Sequence, residues 1–166
     1  MNDEVLYTLA YELGQHLEAA GLVVTTAESC TGGWIAKCLT DVAGSSAWFE
    51  RGFVTYSNEA KSSLIDVPVD LLDKHGAVSS DVVRAMAEGA LQNSSADLSV
   101  AVSGVAGPDG GSDEKPVGTV WLAWAARTED QPESDTRVEY FRGDRESIRH
   151  QAVAAALEGL IALVSF

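Results

Sequence analysis

Between Thr25 and Lys61 the chain reads TTAESCTGGWIAKCLTDVAGSSAWFERGFVTYSNEAK. A β-branched run enters a glycine turn, a helix with apolar periodicity follows, and a second strand and helix come directly after. A strand feeding a helix through a short glycine turn is the building block of α/β proteins, and no stretch of this chain constrains the fold more. Leu22 to Thr26 forms the strand. The helix beginning near Thr31 turns Trp34, Ile35, Cys38 and Leu39 inward at three- and four-residue steps. Arg51 to Tyr56 is expected as a second strand and Asn58 to Leu64 as a helix.

The flanking segments fit the same class. Val5, Leu6, Leu9, Leu13 and Leu17 predict an amphipathic helix over 3–20, closed by Gly21. Pro68 leads a short helix over 69–74 that ends at His75-Gly76. Ser79 or Ser80 then caps a helix to about Gln92, with Val82, Val83, Met86 and Leu91 as its apolar face. Strands are expected at 98–103, within 117–126 and at 137–141, and a last helix runs from Asp144 or Ser147 to Val164. Three strands nearly in series argue against a wholly parallel sheet, and two of them are expected to pair as a hairpin. The acidic, proline-bearing stretch 128–135 reads as a solvated hairpin loop. The expected architecture is one α/β domain over 1–166, three layers deep, with a mixed sheet of about five strands covered by helices.

Composition narrows the partners. At 166 residues and 46% apolar content the chain can bury a real core. It carries 25 acidic against 11 basic residues, a net charge of −14. That field repels phosphate backbones, so generic DNA or RNA binding is disfavoured. Any phosphate must be held locally by backbone N–H groups and a few placed cations. Cys30 and Cys38 form no metal-ligand spacing with His16, His75 or His150 and read as reduced, buried thiols. The start Met1-Asn2-Asp3-Glu4 is acidic where a secretory leader is basic, and no apolar run is expected to reach a membrane span; a cytoplasmic setting follows.

Four segments carry candidate chemistry. In Glu28-Ser29-Cys30-Thr31-Gly32-Gly33 a helix start offers unpaired N–H groups, and Ser29 and Thr31 add hydroxyls. An anion cradle and a plain capped turn fit this spacing equally, because the P-loop lysine is missing. The second segment joins Gly44-Ser45-Ser46 to Tyr56 and Lys61. A partly desolvated lysine can take a serine proton, and no histidine sits in a Ser-His-Asp pattern, so a Ser-Lys scheme is the economical one. Singly, these serines read as helix caps and Lys61 as a solvated residue. The third segment, Ser103-Gly104 through Gly111, follows a strand, where α/β sheets gather ligands. The fourth, Arg142-Gly143-Asp144-Arg145, suits phosphate, though Arg145 could equally pair with Asp144 or Glu146.

These motifs together, AESCTGG, GSSAWFERGFVTYSNEAK, GAVS, SGVAGPDGG, KPVGTVW and FRGDR, closely resemble the CinA C-terminal domain family of nicotinamide-nucleotide amidases, from about Leu6 to Val164. The resemblance implies hydrolysis of nicotinamide mononucleotide to nicotinate mononucleotide and ammonia, with no metal or organic cofactor. Carried over residue by residue, the site falls on Ser29, Ser46, Tyr56, Lys61, Ser103 and Arg145. The expected scheme has Ser46 as nucleophile, Lys61 as its base and Tyr56 as relay, with Ser29 the rival nucleophile. The 5′-phosphate is expected at the Thr31-Gly32-Gly33 helix start or at Arg145, and Ser103-Gly104 against the ring or carboxamide. The chain resembles the stand-alone form of the module, and relatives of this kind self-associate, so a homodimer or larger assembly is expected. Two other readings stand beside the amidase. One is a nucleotide-binding module without turnover, which a broken Ser-Lys set would favour. The other is an assembly partner whose glycine loops are only turns.

Overall fold

The computed structural model describes residues 3–165. Helix α1, Asp3–Ala20, buries Leu6, Ala10, Leu13, Gly14 and Leu17 along one stripe. Strand β1, Val24–Glu28, is buried throughout. It leads through the glycine turn into α2, Trp34–Thr40. A 3-10 turn, Ser45–Ala47, precedes β2, Phe49–Val54. Then come α3, Asn58–Ile65, and α4, Val69–His75. Helix α5, Ser80–Gln92, follows. Strands β3, Leu98–Gly104, β4, Thr119–Ala126, and β5, Glu133–Tyr140, precede α6, Arg145–Val164. Three helix starts are closed by side chains. Ser57 accepts from the Ala60 N–H, Ser79 from Val82 and Asp144 from Ser147. Each such cap satisfies an orphan donor and is worth about 1 kcal/mol.

The five strands form one mixed sheet in the order β2-β1-β3-β4-β5. β1 pairs in parallel with both β2 and β3. β3–β4 and β4–β5 are both antiparallel, so two hairpin pairings close the sheet. β5 begins at Glu133, four residues earlier than its alternation suggested, and the end of the acidic stretch is therefore strand rather than loop. An exposed edge strand tolerates the polar pattern of Glu133, Ser134 and Asp135, which hid it.

Two apolar cores make three layers. One packs α1, α2 and α6 on the sheet face carrying Val24, Val100, Val102, Val120, Leu122 and Trp124. The other packs α3, α4 and α5 on the face carrying Ala27, Ala101, Ala123 and Ala125. Trp48 and Trp124 are buried, and Trp34 and Trp121 partly buried, so packing takes all four tryptophans. Helix α6 is long and apolar enough to cross a membrane by length and composition. The expectation that no run reaches that length is corrected, but eight of its residues, among them Ile148, Val153 and Leu157, are buried in the domain core.

The connections decide where a ligand goes. From β1 the chain crosses one face of the sheet through α2 to reach β2, then crosses the other face through α3, α4 and α5 to reach β3. β1 and β2 are therefore parallel neighbours whose outgoing connections leave toward opposite faces, and β3 ends on the other side of β1 before the chain turns into antiparallel β4. A crevice opens at the carboxyl ends of such strands.

Candidate active site

Ser29 follows the last residue of β1, Thr55 and Tyr56 follow β2, and Ser103-Gly104 end β3. All lie at the same edge of the parallel strands. The register Glu28↔Val102 sets Ser29 beside Ser103, and the Ser29 N–H donates to Val102 O at 3.0 Å. A cavity of about 360 Å³ opens there, lined by Ser29, Cys30, Tyr56, Asn58, Lys61, Ser103, Gly104, Arg145 and the loop from Val105 to Gly111.

Lys61 sits in the second turn of α3 and is only 1% exposed. Its Nζ lies 3.1 Å from Ser29 Oγ and donates to Thr55 O at 2.9 Å and Tyr56 O at 3.4 Å. No carboxylate among the described residues forms an ion pair with it. Burial, which disfavours the ammonium, holds its pKa below the ordinary lysine value. A neutral amine has two N–H donors and one lone pair. The two carbonyls match the donors, and Ser29 Oγ matches the lone pair.

Ser46 is elsewhere. It lies on the exposed 3-10 turn that enters β2, and β2 begins beside Val24, the first residue of β1. Five strand residues at about 3.3 Å each put it about 15 Å from the Ser29 end. The expected Ser46–Lys61 pairing is corrected to Ser29–Lys61. Tyr56 meets Lys61 through its backbone carbonyl. Its ring is 62% exposed, and its hydroxyl accepts from Arg145 Nη2 at 3.2 Å instead of reaching the serine, so the relay role gives way to a place at the cavity mouth.

The anion cradle at Thr31-Gly32-Gly33 is also corrected. The buried Glu28 carboxylate accepts from the Thr31 hydroxyl at 2.6 Å and from the Ile35 and Ala36 N–H groups at 2.8 and 3.0 Å. The α2 start already holds an anion, supplied by the chain itself, and a phosphate has no donors left there. Burial pushes the Glu28 carboxyl up, opposed by these hydrogen bonds. None of Thr31, Gly32 and Gly33 lines the cavity.

Ser103 and Gly104 do line it, as does Arg145. Ser103 is 1% exposed. A Cβ at Gly104 would stand 2.7 Å from Val120 Cγ2 and 2.9 Å from Thr119 O, so close packing on β4 requires glycine. Arg145 donates to Gly107 O at 2.7 Å and forms no ion pair with Asp144 or Glu146. It ties the glycine loop to α6. Sequence reasoning missed Glu28, Arg149, Asn58 and Asp109. An acid inside an otherwise uncharged strand was the signal for Glu28. Arg149, one turn after Arg145, donates to Cys30 O and Thr31 O at 3.0 and 3.1 Å and so pins the turn that follows Ser29.

A serine at a strand end, a buried lysine with no ion-pair partner among the described residues and a hydroxyl-lined cavity lie together here. The family model for the CinA C-terminal domain matches residues 6–164. The chain belongs to the CinA C-terminal domain family. It is 59% identical over 160 residues to the nicotinamide-nucleotide amidohydrolase PncC of Escherichia coli (strain K12), covering 96% of this chain and 95% of that protein. It is 56% identical over 156 residues to the protein of the same name from Pseudomonas putida, covering 94% and 95%. Among solved structures, the competence/damage inducible protein CihA from Agrobacterium tumefaciens superposes with a TM-score of 0.89 at 48% identity, covering 96% of this chain and 95% of that one. This CinA-family fold thus carries its Ser29–Lys61 pair at the β1/β3 crevice.

Proposed function

We propose that the chain is a nicotinamide-nucleotide amidohydrolase that converts nicotinamide mononucleotide and water to nicotinate mononucleotide and ammonia, in pyridine nucleotide salvage. The 3.1 Å contact between Ser29 Oγ and the buried Lys61 amine carries the reading. The names of the full-length relatives supply the substrate.

Neutral Lys61 takes the Ser29 proton as Oγ attacks the carboxamide carbon. The carbonyl oxygen becomes an oxyanion, for which the backbone N–H of Cys30, next after the nucleophile, is the donor we assign. The Lys61 ammonium then returns its proton to the amide nitrogen, the C–N bond breaks and ammonia leaves. Water, deprotonated by Lys61, attacks the acyl-serine. The adduct collapses as the Lys61 ammonium returns that proton to Ser29 Oγ, and the product departs as the acid, whose remaining proton passes to the released ammonia. Ser103, beside Ser29 on β3, orients the carboxamide, and Arg145 at the mouth faces the anionic end of the nucleotide.

A cytoplasmic setting is supported by the two free, buried cysteines, Cys30 and Cys38, which suit a reducing compartment. Self-association is carried forward from the family resemblance, and light scattering reads it. The deciding experiment is ammonia release from nicotinamide mononucleotide with chelator present. Wild-type release that is lost in Ser29→Ala and Lys61→Ala supports the reading. Binding without release would make the chain a nucleotide-binding module.

A further inference from the structure

Tyr56, Asn58 and Lys61, at the entry to α3 and along its first turns, all line the amide cavity. Lys61 contacts Ser29, and the Tyr56 hydroxyl accepts from Arg145. Asn58 has no such task. It is the first residue of α3, but Ser57 already caps that helix by accepting from the Ala60 N–H. The Asn58 side chain makes no hydrogen bond to any described residue. An amide group offers two N–H donors and one acceptor oxygen, and here all of them stay open at the wall of the cavity.

The helix sets where that amide stands. Asn58 and Lys61 are three residues apart and so share one face of α3. Helical side chains lean toward the helix start, and Lys61 follows the rule: its Nζ reaches back to Thr55 O and Tyr56 O at 2.9 and 3.4 Å. Both carbonyls precede Asn58 in the chain, so the amine is drawn to the level of Asn58 rather than held a turn beyond it. With the carbonyl oxygen at the Cys30 N–H and Ser29 Oγ on the carbon, the leaving nitrogen must come within reach of Nζ, because Lys61 returns its proton there. Thr55 O and Tyr56 O are occupied by the amine itself. Asn58 Oδ1 is the open side-chain acceptor on this wall. A carboxylate in the same place would hold Lys61 as the ammonium, whereas a neutral amide accepts an N–H without doing so.

We propose that Asn58 recognises the amide nitrogen of the substrate, its Oδ1 accepting one N–H of the carboxamide beside Lys61 Nζ. The assignment rests on the amidase reading and deepens it, since it names the residue that selects a primary amide over an ester. In the tetrahedral adduct this hydrogen bond holds the NH2 group with its lone pair turned to the Lys61 ammonium. The nitrogen takes that proton, the C–N bonding pair goes to nitrogen, the oxyanion re-forms the carbonyl, and ammonia leaves. An ester carries oxygen where the amide carries NH2 and gives Oδ1 nothing to accept.

Two measurements test this, each with nicotinamide mononucleotide and with the methyl ester of nicotinate mononucleotide. In steady-state kinetics Asn58→Leu should lower kcat/KM for the amide about 5- to 50-fold, the worth of a hydrogen bond whose loss leaves a polar group unpaired. The ester should stay within about threefold, because the variant removes a contact that only the amide makes. Calorimetry on Ser29→Ala, which lacks the nucleophile, should show the amide bound more tightly than the ester, and adding Asn58→Leu should erase the preference. Equal losses on amide and ester, or an amide rate indifferent to Asn58→Leu, would overturn the assignment and leave the amidase reading standing. A binding preference that Asn58→Leu erases, without ammonia release by the wild type, would uphold Asn58 as the amide reader and reject the amidase.

Discussion

Replacing Lys61 by methionine keeps the unbranched volume and removes only the amine. Loss of the general base at a serine costs about 10²- to 10⁴-fold in rate, or about 3–5 kcal/mol of barrier at 1.36 kcal/mol per tenfold. The upper end is expected, since no other base lies within hydrogen-bonding reach of Ser29 Oγ among the described residues. Stability tests the same lysine independently. Burial lowers its folded pKa, whereas the unfolded chain holds the ordinary value of about 10.4. Between those two values the unfolded chain carries a proton that the folded one does not, so unfolding takes up a proton. The stability of wild type relative to Lys61→Met must then rise with pH through that window, with a limiting slope of about 1.36 kcal/mol per pH unit. Below the folded value the difference is flat.

The absolute stability at pH 7 is a poorer readout. The variant relieves a buried amine but strands Thr55 O, for which a partner is worth about 1–3 kcal/mol. The pH slope is free of that offset. Urea denaturation of both proteins from pH 6.5 to 10, alongside pH–rate profiles, reads it. kcat/KM should climb with pH and level off once Lys61 is neutral. A flat stability difference up to pH 10, or a variant within tenfold of wild-type kcat/KM, would refute the neutral-base argument.

Ser29→Ala should abolish ammonia release while Ser46→Ala leaves kcat/KM unchanged and stability within about 0.5 kcal/mol, as for any exposed turn position; steady-state kinetics of the pair decides between the two serines. Glu28→Ala leaves the Thr31 hydroxyl and two backbone N–H groups without their acceptor and should cost about 2–4 kcal/mol by chemical denaturation. Gly89→Ala drives a Cβ into the Ile65 carbonyl oxygen at the end of α3. The helix carrying Lys61 must move, and a loss of about 1–3 kcal/mol with a fall in kcat larger than any change in KM is expected.

Helix existence was legible because propensity, caps and periodicity agree. α1, α3 and α5 fall within a residue or two of the expected spans; Ser79 caps α5 as one of the two expected serines, while the Ser57 cap of α3 emerged only in the structure. β5 was legible only in its alternating half, because an edge strand exposes the polar residues that loops also use. At the site, the sequence named Ser29, Lys61, Ser103, Gly104 and Arg145 but set Ser46 ahead of Ser29. The two serines sit in similar glycine turns. Only strand register, a long-range property, shows that one turn leaves the carboxyl end of β1 and the other enters the opposite end of β2. Arg149 was hidden for a similar reason, since its partners are carbonyls 118 and 119 residues away.

Glu28 and Lys61 show how one crevice can hold a lysine's pKa below its ordinary value in so acidic a protein. A carboxylate beside Lys61 would stabilise the ammonium and destroy the base. Glu28 precedes Ser29, yet its carboxylate is engaged at the α2 start, where Ile35, Ala36 and Thr31 donate to it. Successive side chains of a strand point to opposite faces, so Glu28 faces α2 while Ser29 turns to α3 and Lys61. The chain's acidity is thereby kept off Lys61 by the pleat of β1 itself. A one-residue slip of β1 would exchange the two, bringing the carboxylate to Lys61 and the serine to the helix start. The all-buried register of β1 against both neighbours is what forbids that slip.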